Sequence, residues 1–154
     1  MPKKPTAGDA ELILKLYDLR REAEMRKARN WWLTTFWPES VDDFTKIAMA
    51  LGTQENNWLR QVAGYWSLAA SLVEHGTLSP DLFLEPSFSG EMFVIYAKVR
   101  PFLKDLRQKM NSPQMFANVE RLINGSKQAR EFLKQMETNL AGRRKMMAEV
   151  AKAS

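Results

Sequence analysis

A chain of 154 residues, 45% hydrophobic and 27% charged, is long enough to fold as one domain around its own core. It has no cysteine and one histidine, which excludes disulfides, thiolate metal sites, a cysteine nucleophile and the paired Glu-x-x-His motifs of di-iron bundles. The net charge of +5 is uneven: basic against acidic residues number nine to eight in residues 1–50, three to five in 51–100 and eleven to five in 101–154.

That basic last third would attract nucleic acid or an acidic surface, or simply solvate a helix face. No stretch approaches the roughly 20 apolar residues of a bilayer span. The N-terminal MPKKPTAGDAE has basic residues but no apolar core after them, so neither a secretory signal nor membrane insertion is expected, and the protein reads as cytoplasmic.

Residues 1–8 read as a disordered tail. Asp9 then caps a helix with Leu12, Ile13, Leu16, Leu19 and Ala23 as its buried stripe. The dense run Arg20–Arg29 continues it, with Arg20–Glu24 and Glu22–Arg26 at the i, i+4 spacing that supports an exposed helix. The same helix is expected to run into Trp31, Trp32, Phe36 and Trp37, and Pro38 should end it. Three of the five tryptophans fall in this short stretch. Core packing explains them most simply. The alternative is an apolar patch or stacking platform, which the lack of interleaved basic residues weakens.

Ser40 and Asp43 open a short helix, with Val41, Phe44, Ile47, Ala48 and Leu51 inward and Gly52 as its stop. Thr53 to Gly76 is the central element. Thr53 is a natural N-cap and Gly76 a natural stop. Trp58, Leu59, Val62, Trp66, Ala69, Ala70 and Val73 form a helical face that Tyr65, Leu68 and Leu72 widen. Gly64 inside it weakens the helix, so close packing or a pocket lined by small residues should compensate.

Ser79-Pro80 opens a single turn, and Pro86, Ser87, Ser89 and Gly90 mark a loop. A helix from Gly90 to Met110 carries Phe93, Ile95, Tyr96, Val99, Phe102, Leu103 and Leu106, with a kink at Pro101. Ser112-Pro113 begins the next helix, which Asn124-Gly125 ends. The last helix runs from Ser126 towards Lys152 on a heptad of Leu133, Met136, Leu140, Met147 and Val150, with Arg143 breaking the pattern. The fold class is therefore all-α, a single-domain bundle of six or seven helices. Its parts are the tail over 1–8, the bundle over 9–142 and a basic helix end or tail over 143–154.

Few residues carry chemistry. His75 sits at a helix C-terminus, where the dipole favours a cation. Glu74, His75 and Glu91 have no spacing that defines a site. Arg107 and Glu120 flank the Ser112-Pro113 turn, and a bidentate, structural ion pair between them is expected. No phosphate-binding loop, nucleophile elbow or zinc motif is present.

Tyr65-Trp66, Leu72-Val73, Gly76, Leu82-Phe83, Arg100-Pro101-Phe102, Arg107, Pro113, Phe116 and Glu120 together resemble a group of uncharacterised bacterial helical domains of unknown function, over about residues 55–123. Some members of that group carry a membrane-spanning N-terminal segment that this sequence lacks. The resemblance implies the helical fold and supplies no catalytic residues.

Three readings follow. The first is a non-enzymatic helical interaction or scaffold protein, with self-association or a protein partner at Trp31, Trp32, Trp37, Arg143, Arg144 and Lys145. The second is a nucleic-acid-associated protein using the basic last third. The third is a small-ligand binder with a pocket near Tyr65, Trp66 and Arg100. The balance leans away from an enzyme, and no cofactor or metal is called for.

Overall fold

The computed structural model describes residues 4–154, and residues 1–3 of the expected tail lie outside it. The described chain is all-helical. Its elements are α1 (Ala7–Leu19), α2 (Ala23–Thr34), α3 (Val41–Ala48), α4 (Gln54–Glu74), α5 (Pro80–Phe83), α6 (Pro86–Val99), a 3-10 turn (Arg100–Phe102), α7 (Leu103–Lys109), α8 (Ala117–Asn124) and α9 (Lys127–Ala153). α6, the 3-10 turn and α7 follow one another without a gap, and the α-helix is interrupted by 3-10 geometry at Pro101, where a kink was expected.

The first helix starts inside the stretch expected as tail. Thr6, not Asp9, is its cap: Thr6 Oγ1 accepts from the Asp9 amide at 3.2 Å, and Asp9 Oδ2 accepts from the Thr6 amide at 2.7 Å. Asp9 Oδ1 also accepts from the Ser79 amide at 2.8 Å, which ties α1 to the start of α5. These amides hold the Asp9 carboxyl below its usual range, the Thr6 backbone bond contributing most.

The expected long N-terminal helix is two helices. The chain turns at Arg20–Glu22, and Glu22 caps α2 by accepting from the Met25 amide at 2.9 Å. The break carries the Arg20 side chain into the core, where Nη1 donates to the Phe88 carbonyl at 3.0 Å. Its guanidinium also lies 4.4 Å from the Tyr17 ring centroid and 5.1 Å from that of Phe88. The Arg20–Glu24 and Glu22–Arg26 pairs are therefore not made. Glu24 pairs with Lys27 at 2.8 Å instead.

The central helix forms as expected, with Thr53 Oγ1 accepting from the Asn56 amide at 3.2 Å and Gly76 at φ +74°. It packs chiefly on α2 and α8, with Leu59, Val62, Trp66, Ala69, Ala70 and Val73 buried. Leu68 is exposed, and so is Leu51, which was expected inward. Leu51 falls outside α3 because that helix stops at Ala48, where the buried Asn56 amide nitrogen takes the Ile47 and Ala48 carbonyls at 3.0 and 2.9 Å.

A second element is as deeply buried as α4. Pro86 at the first helical position begins α6 where a loop was expected. Every residue from Ile95 to Val99 is buried, Lys98 among them. Conversely, Ser112-Pro113 does not begin a helix. Residues 112–116 are turns, and α8 starts only after Phe116 at φ +58°. The Phe116 ring is buried and its carbonyl accepts from the Glu120 amide at 2.9 Å, so packing holds a conformation that a non-glycine residue otherwise avoids.

Candidate functional site

Lys98 is the outstanding side chain of the fold. It is 1% exposed, in the last turn of the apolar α6. The last carbonyls of any α-helix lack amide partners. Lys98 supplies partners to the end of α2: its Nζ donates to the carbonyl of Trp32 and, at 2.9 Å, to that of Phe36. The Trp37 ring centroid lies 3.8 Å from the same nitrogen. Burial, and after it the nearby Arg144 and Arg143 charges, lowers the Lys98 pKa to about 7.

The other wall of this site comes from α9. Arg144 Nη2 donates to the Pro38 carbonyl at 3.1 Å, and Nη1 lies 3.4 Å from Glu39 Oε1. The Arg144 guanidinium is 5.3 Å from the Trp37 ring centroid, so one indole serves both cations. Trp37 is fixed in turn by Nε1 donating to the Thr34 carbonyl at 3.2 Å. Beside the Lys98–Trp37–Arg144 stack lies a cavity of about 330 Å³. Ala97, Pro101, Phe102 and Leu140 give its apolar walls, and Lys98, Arg144, Glu39 and Glu137 its polar groups. Glu137 Oε1 accepts from Arg100 Nη1 at 2.5 Å.

Of the expected interaction surface, Trp37 and Arg144 are brought together here, and Arg143 and Lys145 are exposed close by on α9. Trp31 and Trp32 are buried. Trp31 stacks on Phe36 with centroids 4.5 Å apart, and Trp32 meets Phe36 edge-on at 5.0 Å. They are core, which follows from α2 ending at Thr34 and the chain folding back over its own aromatic rings.

Tyr65, Trp66 and Arg100, expected beside a pocket, are each engaged with another part of the chain. Tyr65 donates its hydroxyl to the Leu16 carbonyl. Trp66 Nε1 donates to Glu91 Oε1 at 3.0 Å, and Glu91 Oε2 accepts from Arg29 Nε at 2.7 Å. Arg100 is engaged with Glu137 instead. Arg107 and Glu120 do pair, at 3.2 Å, but not in the expected two-nitrogen fork. Arg107 Nη1 alone spans both carboxylate oxygens, and Nε donates to the Met115 carbonyl at 2.9 Å. Tyr96 completes the cluster, its hydroxyl donating to Glu120 Oε2 at 3.0 Å. Burial, then the Glu120 charge, pushes the Tyr96 phenol up to about 12.

Gly64 is not in close packing. A Cβ there would meet nothing within 4 Å. It lies instead along a groove of about 520 Å³ between α3, α4 and the 110–116 turns, with Leu59, Ala63, Met110 and Met115 as its apolar lining.

Sequence reasoning missed Lys98, Arg20 and Glu91 as structural centres. One signal was available for Lys98: it is the only charge in the run Met92–Val99.

The architecture defines an all-helical domain held by buried polar contacts between helix ends and distant side chains. The chain belongs to the domain of unknown function family DUF4760, which it matches over residues 5–126. The match ends at Ser126, the cap of α9. No curated protein matches the chain, and no solved structure does.

Proposed function

We propose that this protein is a non-enzymatic helical interaction module whose docking element is the exposed stretch of α9 beyond Arg144, and that its partner is an acidic protein surface with an apolar seam. One observation carries the reading. Beyond Arg144 every residue of α9 is exposed, yet Met146, Met147 and Val150 there are 65%, 45% and 69% exposed. These apolar side chains share the helix end with Arg143, Arg144, Lys145 and Lys152, against the single carboxylate Glu149. Two such ends would repel each other, which favours an acidic partner over a second copy. Flexible methionines suit a surface that adapts to its partner.

Among the described residues no helix is long and apolar enough to cross a membrane. We place the protein in the cytoplasm, a reading supported by the absence of cysteine.

The test is a photo-crosslinking residue placed at Met147 of the full chain in its source cells, with a second at the exposed Glu11 as control. The expected result is one protein adduct specific to position 147, joined through an acidic peptide and lost in Met147→Asp/Val150→Asp. An adduct with a second copy, recovery that depends on intact nucleic acid, or identical adducts from both positions would overturn the reading.

A further inference from the structure

The cavity under α9 is a separate feature from that exposed stretch. We infer that it binds a small amphipathic monocarboxylate, with the carboxylate on Arg144, beside the buried Lys98, and the hydrocarbon against Ala97, Phe102 and Leu140. The argument begins with charge. Lys98 is buried and lines the cavity, and its two hydrogen-bond partners in the chain are neutral carbonyls. The remaining close group around the amine, the Trp37 ring, is neutral as well, so the charge has no counter-ion in the chain. A buried cation without a counter-ion is unfavourable, and an anion entering the cavity relieves it.

The carboxylates at the rim are already committed, Glu137 to Arg100 and Glu39 to Arg144. Lys98, Arg100 and Arg144 against Glu39 and Glu137 leave one positive charge, which a monoanion neutralises and a dianion overshoots. Arg143 faces the same region from α9 but is exposed and solvated. The apolar walls call for a hydrocarbon portion, and about 330 Å³ is at the small end of ligand sites. The Trp32 and Phe36 carbonyls hold the amine in place beforehand, so little ordering remains to be done on binding.

Proton linkage gives the site a signature. Lys98 is lowered to about 7 in the free protein, and a bound carboxylate draws it back up. Binding above neutral pH therefore takes up a proton.

The experiment is isothermal titration of the full chain with octanoate and, separately, inorganic phosphate, at about pH 6.5 and about pH 8.5 in buffers of different ionisation enthalpy. The expected result is one octanoate per chain, proton uptake that is much larger at the higher pH, and no heat from phosphate. Lys98→Met should weaken binding by at least about tenfold and abolish the proton uptake. Ala141→Trp, at the exposed rim of the cavity, should weaken binding similarly and decides alone if Lys98→Met does not fold. No octanoate binding to the native chain, unchanged affinity in Ala141→Trp, or phosphate binding as tight as octanoate would overturn the inference.

Discussion

Lys98 makes the stability of the protein depend on pH in a window where few other groups titrate. Its pKa is lowered from 10.5 to about 7 in the fold. Between those values the unfolded chain holds a proton that the folded chain has lost, so stability rises with pH across the window and the gain disappears as pH falls back through 7. Tyr65 and Tyr96, both raised to about 12, act in the opposite sense once pH exceeds 10. Urea unfolding should therefore show a free energy that increases between about pH 7 and about pH 9.5, and Lys98→Met should flatten that slope. At Glu120 the effect is a lost partnership. Glu120→Ala would strand the part-buried Arg107 guanidinium and the hydroxyl of the buried Tyr96. With the pair partly open to solvent, the expected cost is about 1 kcal/mol, or roughly 2–4 °C in melting temperature. An unchanged melting temperature would remove the ion pair from the list of stabilising contacts.

Among the elements, α4 was legible because capping threonine, apolar period and terminal glycine all agree on one helix. The interruption at Pro101, the Ser126 cap of α9 and the short α5 were legible for the same kind of local reason. The Arg20–Glu22 break was not. Its residues are good helix formers, and what ends α1 is the distant Phe88 carbonyl together with the rings that receive Arg20. Pro86 misled in the other direction, since proline suits a first helical turn as well as a loop. The Gly64 position in α4 gives a direct measurement. Its backbone is helical and its Cβ would meet no neighbour. Gly64→Ala should therefore raise stability by up to about 1 kcal/mol in thermal or urea unfolding. A loss instead would mean that the groove beside it cannot accept even a methyl group.

Across the whole molecule, α9 joins the two functional readings. Its first part packs on α6 and α8 through Ala129, Leu133 and Leu140. Arg144 then straps it to the α2–α3 link, and its remaining turns carry Met146, Met147 and Val150 into solvent. By itself the sequence determined the helical class, the buried faces of α4 and α6, most caps and the Arg107–Glu120 partnership, since each depends on residues near in sequence or on a simple period. Only the tertiary structure decided that Trp31 and Trp32 are core, that Tyr65 and Trp66 are spent on Leu16 and Glu91, and that Lys98 closes the end of a helix 62 to 66 residues away. The reason is physical: local propensity encodes which backbone groups are left unpaired at a helix end, while the side chain that satisfies them is chosen by three-dimensional proximity.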